Sequence, residues 1–315
     1  MTSKAEAELR LPRSLLDPQE RAVLALRQLY LSRGYRRARM GKFEPYDLYA
    51  RHKDFLVSDA VLTFTGQGGR LLALRPDVTL SLVKGYSGRD IQRLQYNETV
   101  YRPGPDGDHR EIMQAGLECL GDIDLGLSCE VLGLAAASLQ ALGQDHVLTL
   151  SHSGLVQEAL NAATDEPQLQ AELRELLRLK SLGALQALRQ GGRLNESAYG
   201  LLRLMIVTEG APEEALSALA GQLPASPALA ELRQVCEYLS AQGNGQQTRL
   251  DFSLYFDPHY YEGLVFKGYL APLPEALLSG GRYDPLMRRM KKAAGGIGFA
   301  VYLEQLDRLN GEAQA

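Results

Sequence analysis

The chain has few cysteines, and their spacing does not match a metal or disulfide motif. Its three cysteines, Cys119, Cys129 and Cys236, are an odd number and include no Cys-x-x-Cys pair. This argues against a disulfide framework and against a cysteine zinc site, and it suits a reducing cytosol. We therefore expect a cytoplasmic protein with no metal site and no cofactor.

Charge and hydropathy argue against two further classes. The formal net charge is −4, so the chain has no overall basic field that would attract RNA or DNA. Residues 1–13 are polar and charged, without the apolar stretch of a signal peptide. No run approaches about 18 apolar residues, and we therefore expect no membrane span.

The remaining composition is that of a globular protein with its own hydrophobic core. The 315 residues are 45% hydrophobic and 23% charged, which suits one large domain or two modest ones. Asp17-Pro18-Gln19-Glu20 predicts a helix start, with an N-cap, a proline in the first turn and a glutamate at the third position. Gly34 is the predicted end of this helix.

Strand patterns dominate the first half of the chain. Two β-rich runs, 60–65 and 70–74, flank a glycine-rich turn and predict a hairpin. We predict further strands and helices, with strands at 93–102, 111–120, 146–151, 248–256 and 263–269, and helices at about 129–142 and 298–309. Hairpins outnumber regular strand–helix alternation, which favours an α+β fold with a mixed, mainly antiparallel sheet flanked by helices.

A composition change divides the chain. From about residue 154 to 245 it is rich in Leu, Ala, Glu, Gln and Arg, with leucines at helical spacing and prolines that separate short helices. We interpret 154–245 as a helical insertion, and 1–153 and 246–315 as the two parts of one sheet-containing core.

Several short motifs occur in a fixed order. They are Leu74-Arg75-Pro76-Asp77-Val78-Thr79, Val100-Tyr101-Arg102, Gln114-Ala115-Gly116-Leu117-Glu118, Tyr260-Tyr261-Glu262-Gly263-Leu264-Val265-Phe266, Gly280-Gly281-Arg282-Tyr283-Asp284 and Gly298-Phe299-Ala300. No single motif is decisive. The ordered set resembles the catalytic core of histidyl-tRNA synthetase, a class II synthetase, over essentially the whole chain.

The resemblance implies a histidine pocket. In the family pattern the positions of Asp77 and Thr79 hold the α-amino group, those of Gln114 and Glu118 hold the amino group and the imidazole, and the second tyrosine of the pair meets the far side of the ring. The implied histidine-binding residues are Asp77, Thr79, Arg102, Gln114, Glu118, Tyr260 and Tyr261, with Arg282 and Tyr283 expected nearby. A carboxylate facing one ring nitrogen and a phenol facing the other would fix the tautomer.

A purely structural interpretation stands beside this one. Asp77 is also suited to cap a helix that begins near Val78. Gln114 and Glu118 differ by four, so they point to the same side of a strand and also fit its outward face.

The chain departs from the synthetases where they handle ATP. Arg102 matches the arginine of motif 2, but Pro103-Gly104-Pro105-Asp106 replaces its companion stretch. Gln305 replaces the motif 3 arginine, Tyr302 replaces a glycine, and Phe256 replaces a third arginine. Gly41 replaces the proline of motif 1, the dimer-forming region. In the synthetases these arginines stabilise charge on the α-phosphate of ATP. Because they are replaced here, we expect no catalytic residue.

This combination resembles the regulatory subunits of short-form ATP phosphoribosyltransferase. The resemblance implies a hetero-oligomer with the catalytic subunit, L-histidine as the feedback effector, and self-association through the synthetase-like core. We expect no anticodon-binding domain and no tRNA or membrane partner. Two alternatives are a truncated synthetase-like enzyme that forms histidyl-adenylate, and a histidine or tRNA sensor that acts on another partner.

Overall fold

The fold is built on an eight-stranded sheet. The computed structural model describes residues 15–56, 60–88, 90–104, 107–208, 210–254 and 260–311. In spatial order the strands are β1 (Arg36–Arg37), β5 (Gln92–Pro103), β6 (His109–Gly121), β11 (Gly295–Tyr302), β10 (Leu278–Arg282), β9 (Leu264–Leu270), β7 (His146–His152) and β8 (Thr248–Leu250). The two outermost pairs, β1/β5 and β7/β8, are parallel and all others are antiparallel. The predicted α+β class is confirmed.

A small second sheet contains the predicted hairpin. Its order is β2 (Phe43–Pro45), β4 (Leu71–Leu74) and β3 (Thr63–Thr65), with both pairs antiparallel. In the turn between β3 and β4, Gly68 and Gly69 have φ angles of 71° and 74°, where a side chain would be strained. The glycines therefore serve turn geometry.

Twelve helices surround the sheets in the described residues. They are α1 (Pro18–Ser32), α2 (Tyr46–Ala50), α3 (Val78–Gly85), α4 (Leu125–Leu142), α5 (Ser153–Ala163), α6 (Pro167–Arg178), α7 (Leu182–Gln190), α8 (Glu196–Val207), α9 (Pro212–Gln222), α10 (Pro227–Ala241), α11 (Asp284–Arg289) and α12 (Gln305–Gly311). Helices α5 to α10 lie consecutively between β7 and β8, as the leucine spacing predicts. The division of the chain into domains stays a prediction.

The first helix begins as its sequence predicts. The Asp17 side chain accepts a hydrogen bond from the Glu20 N–H at 2.7 Å, and the Glu20 carboxylate accepts one from the Asp17 N–H at 3.0 Å. This reciprocal capping satisfies two N–H groups that would otherwise lack a helical partner. Gly34 follows the helix with a φ of 81°, so the predicted end is also confirmed.

Two predicted elements are wrong near the C-terminal end. Residues 298–302 do not open a helix; they belong to β11, and α12 begins only at Gln305. Pairing with β6 on one side and β10 on the other holds this segment extended, so tertiary hydrogen bonding overrides the helix-like spacing. The strand predicted at 248–256 is also shorter, because β8 ends at Leu250.

Helix α4 also corrects an expectation. It has 18 residues with a mean hydropathy of 1.5, so by length and composition it is apolar enough to cross a membrane. Its apolar character has another cause, because 56% of it is buried and it packs against α1, α10 and strands β7, β9 and β11. A helix enclosed on several sides in a protein core is hydrophobic almost all round.

The two faces of the main sheet contribute to different hydrophobic clusters. One face packs on α1, α4 and α10 through residues such as Leu117, Phe299 and Phe266. The other face packs on α3 and α11 through Tyr96, Val100 and other residues. Because side chains alternate along a strand, the even-numbered residues of β6, including Gln114 and Glu118, point to this second face.

Candidate ligand pocket

The second face of the sheet holds a cavity of about 450 Å³. All seven residues of the predicted histidine site line it: Asp77, Thr79, Arg102, Gln114, Glu118, Tyr260 and Tyr261. They come from α3 and the residue before it, from β5 and β6, and from the loop before β9. A volume of this size is within the range of small-molecule sites.

Glu118 lies at the floor of the pocket and is 2% exposed. Its two carboxyl oxygens accept hydrogen bonds from the Thr79 hydroxyl at 2.8 Å and from the Tyr283 hydroxyl at 2.6 Å. Burial raises the pKa of Glu118 to about 8, although these two hydrogen bonds act in the opposite direction. The carboxyl group is therefore poised to gain or lose a proton near neutral pH.

Glycines make room for the polar groups above the sheet. A β-carbon at Gly298, the partner of Glu118 on β11, would overlap the Glu118 carboxylate. A β-carbon at Gly281, the next residue across on β10, would lie 2.6 Å from Cδ1 of the Tyr261 ring. These two glycines form a floor, hereafter the glycine floor, on which the carboxylate and the phenol ring rest directly.

Asp77 caps a helix and also lines the cavity. It is the N-cap of α3, since its Oδ1 accepts a hydrogen bond from the Leu80 N–H at 2.8 Å. It also lines the cavity, with its Oδ2 4.0 Å from the guanidinium of Arg102. Burial raises the pKa of Asp77, while Arg102 and the backbone N–H groups of the cap partly offset that effect. The helix cap thus fixes the direction of a carboxylate in the pocket.

Two arginines of the motifs have different roles. Arg102 lines the cavity and donates a hydrogen bond from Nε to the carbonyl of Pro76 at 3.0 Å. Arg75 is completely buried and donates to the carboxylate of Glu98 at 2.7 Å, and to the carbonyls of Gly41 and Thr99, each at 3.0 Å. Sequence reasoning gave Arg75 no role, although it anchors the backbone two residues before Asp77.

Aromatic rings form one wall of the pocket. The rings of Tyr260 and Tyr261 have centroids 4.6 Å apart, and Tyr260 also contacts Phe55 at 5.9 Å and Tyr283 at 6.2 Å. Burial raises the pKa of both paired tyrosines, so their hydroxyl groups stay protonated. Each phenol can therefore donate a hydrogen bond to a ligand nitrogen.

The paired tyrosines are tied to the start of α5. The Ser153 N–H donates to the Gly263 carbonyl at 2.8 Å, and the Gly263 N–H donates to the Ser153 hydroxyl at 2.7 Å. Gly263 has a φ of 94° and lies two residues after Tyr261. This double hydrogen bond, hereafter the Ser153 clamp, connects the aromatic wall to the first of the helices between β7 and β8.

The structure separates the two residues expected nearby. Tyr283 lines the cavity, is 2% exposed and bonds to Glu118 as described. Arg282 is not among the lining residues, because its guanidinium turns to the carboxylate of Asp284 at 2.8 Å. Arg282 follows Gly281 along β10, so its side chain points to the other side of the strand.

The substituted synthetase positions differ in location. Tyr302, at the position where the synthetase pattern has a glycine, lines the pocket. Gln305 lies outside the lining, where its side-chain amide donates to the carboxylate of Glu275 at 2.8 Å. Phe256, Pro105 and Asp106 lie outside the described residues.

Several lining residues were not among the predicted site residues. They are Asp54, Phe55, Leu56, Val78, Tyr96, Lys267, Ser279, Gly280, Gly298, Phe299 and Ala300. Lys267 is the one with a formal positive charge, and it lies on β9, in the same segment as the paired tyrosines. The one sequence signal for this position was strand alternation, which places Lys267 on the same face of β9 as Val265.

Fold and pocket together define a protein of the class II synthetase type. A family model for histidyl-tRNA synthetase matches residues 11–306. The ATP phosphoribosyltransferase regulatory subunit of Moorella thermoacetica is 30% identical over 321 residues, covering 96% of this chain and 82% of that one. The regulatory subunit of Clostridium kluyveri is 28% identical over 288 residues, covering 88% and 74%.

Solved structures show the same fold. An ATP phosphoribosyltransferase regulatory subunit/histidyl-tRNA synthetase from Bacillus halodurans has a TM-score of 0.81 at 24% identity, covering 96% of this chain and 83% of that one. A chain of the ATP phosphoribosyl transferase (HisG:HisZ) complex from Thermotoga maritima has a TM-score of 0.73 at 19% identity, covering 90% and 97%. The chain belongs to the histidyl-tRNA synthetase family, in its branch of ATP phosphoribosyltransferase regulatory subunits.

Proposed function

We propose that the chain is the non-catalytic regulatory subunit of a short-form ATP phosphoribosyltransferase. In this role it associates with the catalytic subunit, is required for its activity, and transmits feedback inhibition by L-histidine in the first step of histidine biosynthesis. The observation that supports the proposal most directly is the pocket, in which all seven residues of the predicted histidine site line one cavity. The names of the similar regulatory subunits support the choice of partner.

The pocket is chemically suited to histidine. The Asp77 carboxylate and the Thr79 hydroxyl suit an ammonium group, since hydrogen bonds to charged groups contribute about 1.5–3 kcal/mol each. Glu118 on one side and the phenol of Tyr261 on the other suit the two ring nitrogens of an imidazole. An amino acid without both nitrogens would lose one of these two hydrogen bonds, which costs affinity.

The same pocket is poorly suited to adenylate chemistry. Of the positions where cations would stabilise charge on the α-phosphate, Arg102 is retained, whereas Gln305 is turned toward Glu275 outside the cavity. Tyr302 occupies the wall where a glycine would leave space. Loss of one such donor typically lowers a rate by about 10²–10³. These features favour a binding role over catalysis.

Feedback inhibition requires that histidine bind two states of the complex with different affinity. A coupling free energy of about 1–3 kcal/mol is typical of such systems.

We further propose that the chain self-associates through its synthetase-like core, since most soluble oligomers are closed, symmetric assemblies of one chain. A cytoplasmic location is part of the same proposal.

The first experiment is calorimetric titration of the purified chain, alone and with the catalytic subunit, using histidine and ATP. We expect histidine to bind and ATP not to bind. Glu118→Gln should weaken histidine binding by about 10–100-fold, because it replaces a carboxyl group that can accept a proton or a hydrogen bond from the ring with an amide that cannot be charged. Glu130→Gln, which replaces a glutamate bonded to Tyr35 and Arg93 away from the cavity, is the matched control.

A second experiment measures the activity of the catalytic subunit with and without the chain. We expect activity to require the chain and to fall on addition of histidine. Clear ATP–pyrophosphate exchange with histidine would instead favour a synthetase-like enzyme. A salt-dependent gel shift with histidine tRNA would favour a tRNA sensor.

A further inference from the structure

The proposed histidine site assigns no residue to the carboxylate of the ligand. A free amino acid has an ammonium group, a side chain and a carboxylate. Asp77 and Thr79 suit the first, and Glu118 and Tyr261 suit the imidazole. A carboxylate placed in a partly buried pocket needs a cation or several donors to replace its water. The following inference rests on the proposed function and adds to it.

Lys267 lies in the pocket without a partner in the described part of the chain. It is on β9, half-buried, and its side chain has no hydrogen bond or ion pair with a described residue. The other lining cation, Arg102, already bonds to the Pro76 carbonyl at 3.0 Å and lies 4.0 Å from Asp77. Arg102 is therefore partly committed to Pro76 and Asp77, whereas all three donors of Lys267 are unused by the described residues.

The strand register gives Lys267 a defined position relative to the imidazole end. Lys267 pairs with Ser279 on β10, and Ser279 pairs with Ala300 on β11. Glu118 pairs with Gly298, which is two residues before Ala300 along β11. The row of Lys267 is thus displaced along the strands by two residues, roughly 6–7 Å, from the row that holds Glu118 and the glycine floor.

The charged residues that line the cavity support the same placement of the ligand. Asp77 and Glu118 give the inner part of the pocket its acidic groups, and Asp54 is exposed to solvent at the lining. Lys267 and Arg102 supply the positive charges. An amino acid with its imidazole on Glu118 and its ammonium on Asp77 has its carboxylate left for the row of Lys267. We propose that Lys267 binds the carboxylate of the effector and makes the pocket select a free amino acid over its decarboxylated or reduced analogues.

The test uses three ligands and three variants of the full chain. Histidine, histidinol and histamine share the imidazole and the ammonium, but only histidine has a carboxylate. Calorimetric titration should show that the unaltered chain prefers histidine to histidinol by roughly 10–100-fold, the equivalent of one hydrogen bond between charged groups. Lys267→Gln should lower histidine affinity by a similar factor and change histidinol and histamine affinity by less than about twofold.

Two variants make the result specific. Lys267→Arg keeps the charge and should retain most of the preference for histidine. Lys84→Gln removes a lysine that pairs with Glu44 outside the cavity, so it controls for the change in net charge and should leave all three affinities unaltered. Circular dichroism verifies that each variant is folded before titration.

The outcomes separate this inference from the proposed function. Equal losses for histidine and histidinol in Lys267→Gln would assign Lys267 a purely structural role and overturn the inference. Unchanged histidine binding would overturn it too, as would Lys267-dependent binding of ATP or inorganic phosphate in place of the carboxylate. If the unaltered chain binds no histidine, with or without the catalytic subunit, both the effector proposal and this inference fail.

Discussion

Protonation of Glu118 should make the stability of the protein depend on pH. Burial raises the pKa of this carboxyl group from 4.5 to about 8 in the folded chain. The folded state therefore holds the proton more tightly than the unfolded state does. The contribution of this group to stability is complete below about pH 4.5 and is lost progressively as the pH rises toward 8.

The size of the effect follows from the shift. Within the window between the two pKa values, each pH unit lowers the free energy of unfolding by about 1.4 kcal/mol through this one group. Over the whole window the loss is on the order of a few kcal/mol, a large share of the ~5–15 kcal/mol that stabilises a typical protein. Above about pH 8 this contribution no longer changes.

Urea unfolding of the unaltered chain and of Glu118→Gln between pH 5 and 9 measures this contribution. Glutamine stays neutral, so the difference in free energy between the two proteins isolates the titration of Glu118. We expect the difference to fall from pH 5 to 8 and then to level off. Glu130→Gln, which removes a glutamate bonded to Arg93 away from the cavity, is the matched control. A difference that stays flat between pH 5 and 8 for Glu118→Gln would refute the reasoning.

Three further predictions concern the surroundings of the pocket. Gly298→Ala should abolish histidine binding in calorimetry because the added methyl group overlaps the Glu118 carboxylate, whereas Gly183→Ala, on α7 with nothing within 4 Å, should bind normally. Arg75→Met should lower the free energy of unfolding by about 3–5 kcal/mol in urea titrations, since it leaves a largely buried carboxylate without its cation. Ser153→Ala should weaken histidine binding roughly 2–10-fold with unchanged helix content, because it removes one hydrogen bond of the Ser153 clamp.

The sequence was most informative where a local rule decides the structure. The capping box at Asp17 and Glu20 and the glycine turn before β4 are set by neighbouring residues, and both were predicted correctly. The strands predicted at 93–102 and 111–120 were also confirmed, as β5 and β6. Long, regular patterns leave few alternative structures.

Prediction was wrong where distant residues decide. Strand β11 contains glycines and an aromatic residue in a spacing that also suits a helix start, and only its pairing with β6 and β10 makes it a strand. The length of apolar sequence in helix α4 was underestimated. The helix is apolar because helices and strands pack on several of its sides, and these contacts cannot be read from the sequence.

The candidate site was predictable through the motifs and not through local patterns. The seven residues from Asp77 to Tyr261 are far apart in sequence, and their common location in one cavity follows from the sheet. The resemblance implied that Arg282 and Tyr283 both lie nearby, but neighbours on a strand point to opposite faces. Lys267 belongs to none of the motifs, so only the register across β9, β10 and β11 brought it into the pocket.

The glycine floor has a consequence for how this pocket can change. At Gly298 the smallest possible side chain already collides with Glu118, and at Gly281 it collides with the ring of Tyr261. Any substitution of Gly281 or Gly298 should therefore abolish ligand binding at once, without passing through variants of intermediate affinity for the ligand. Gradual adjustment of ligand preference is open only from the opposite side, through Asp77, Thr79 and the aromatic wall. Proteins of this kind that bind a different effector should accordingly differ at the positions of Asp77, Thr79 and the aromatic wall. Those that have lost the effector should carry substitutions in the glycine floor.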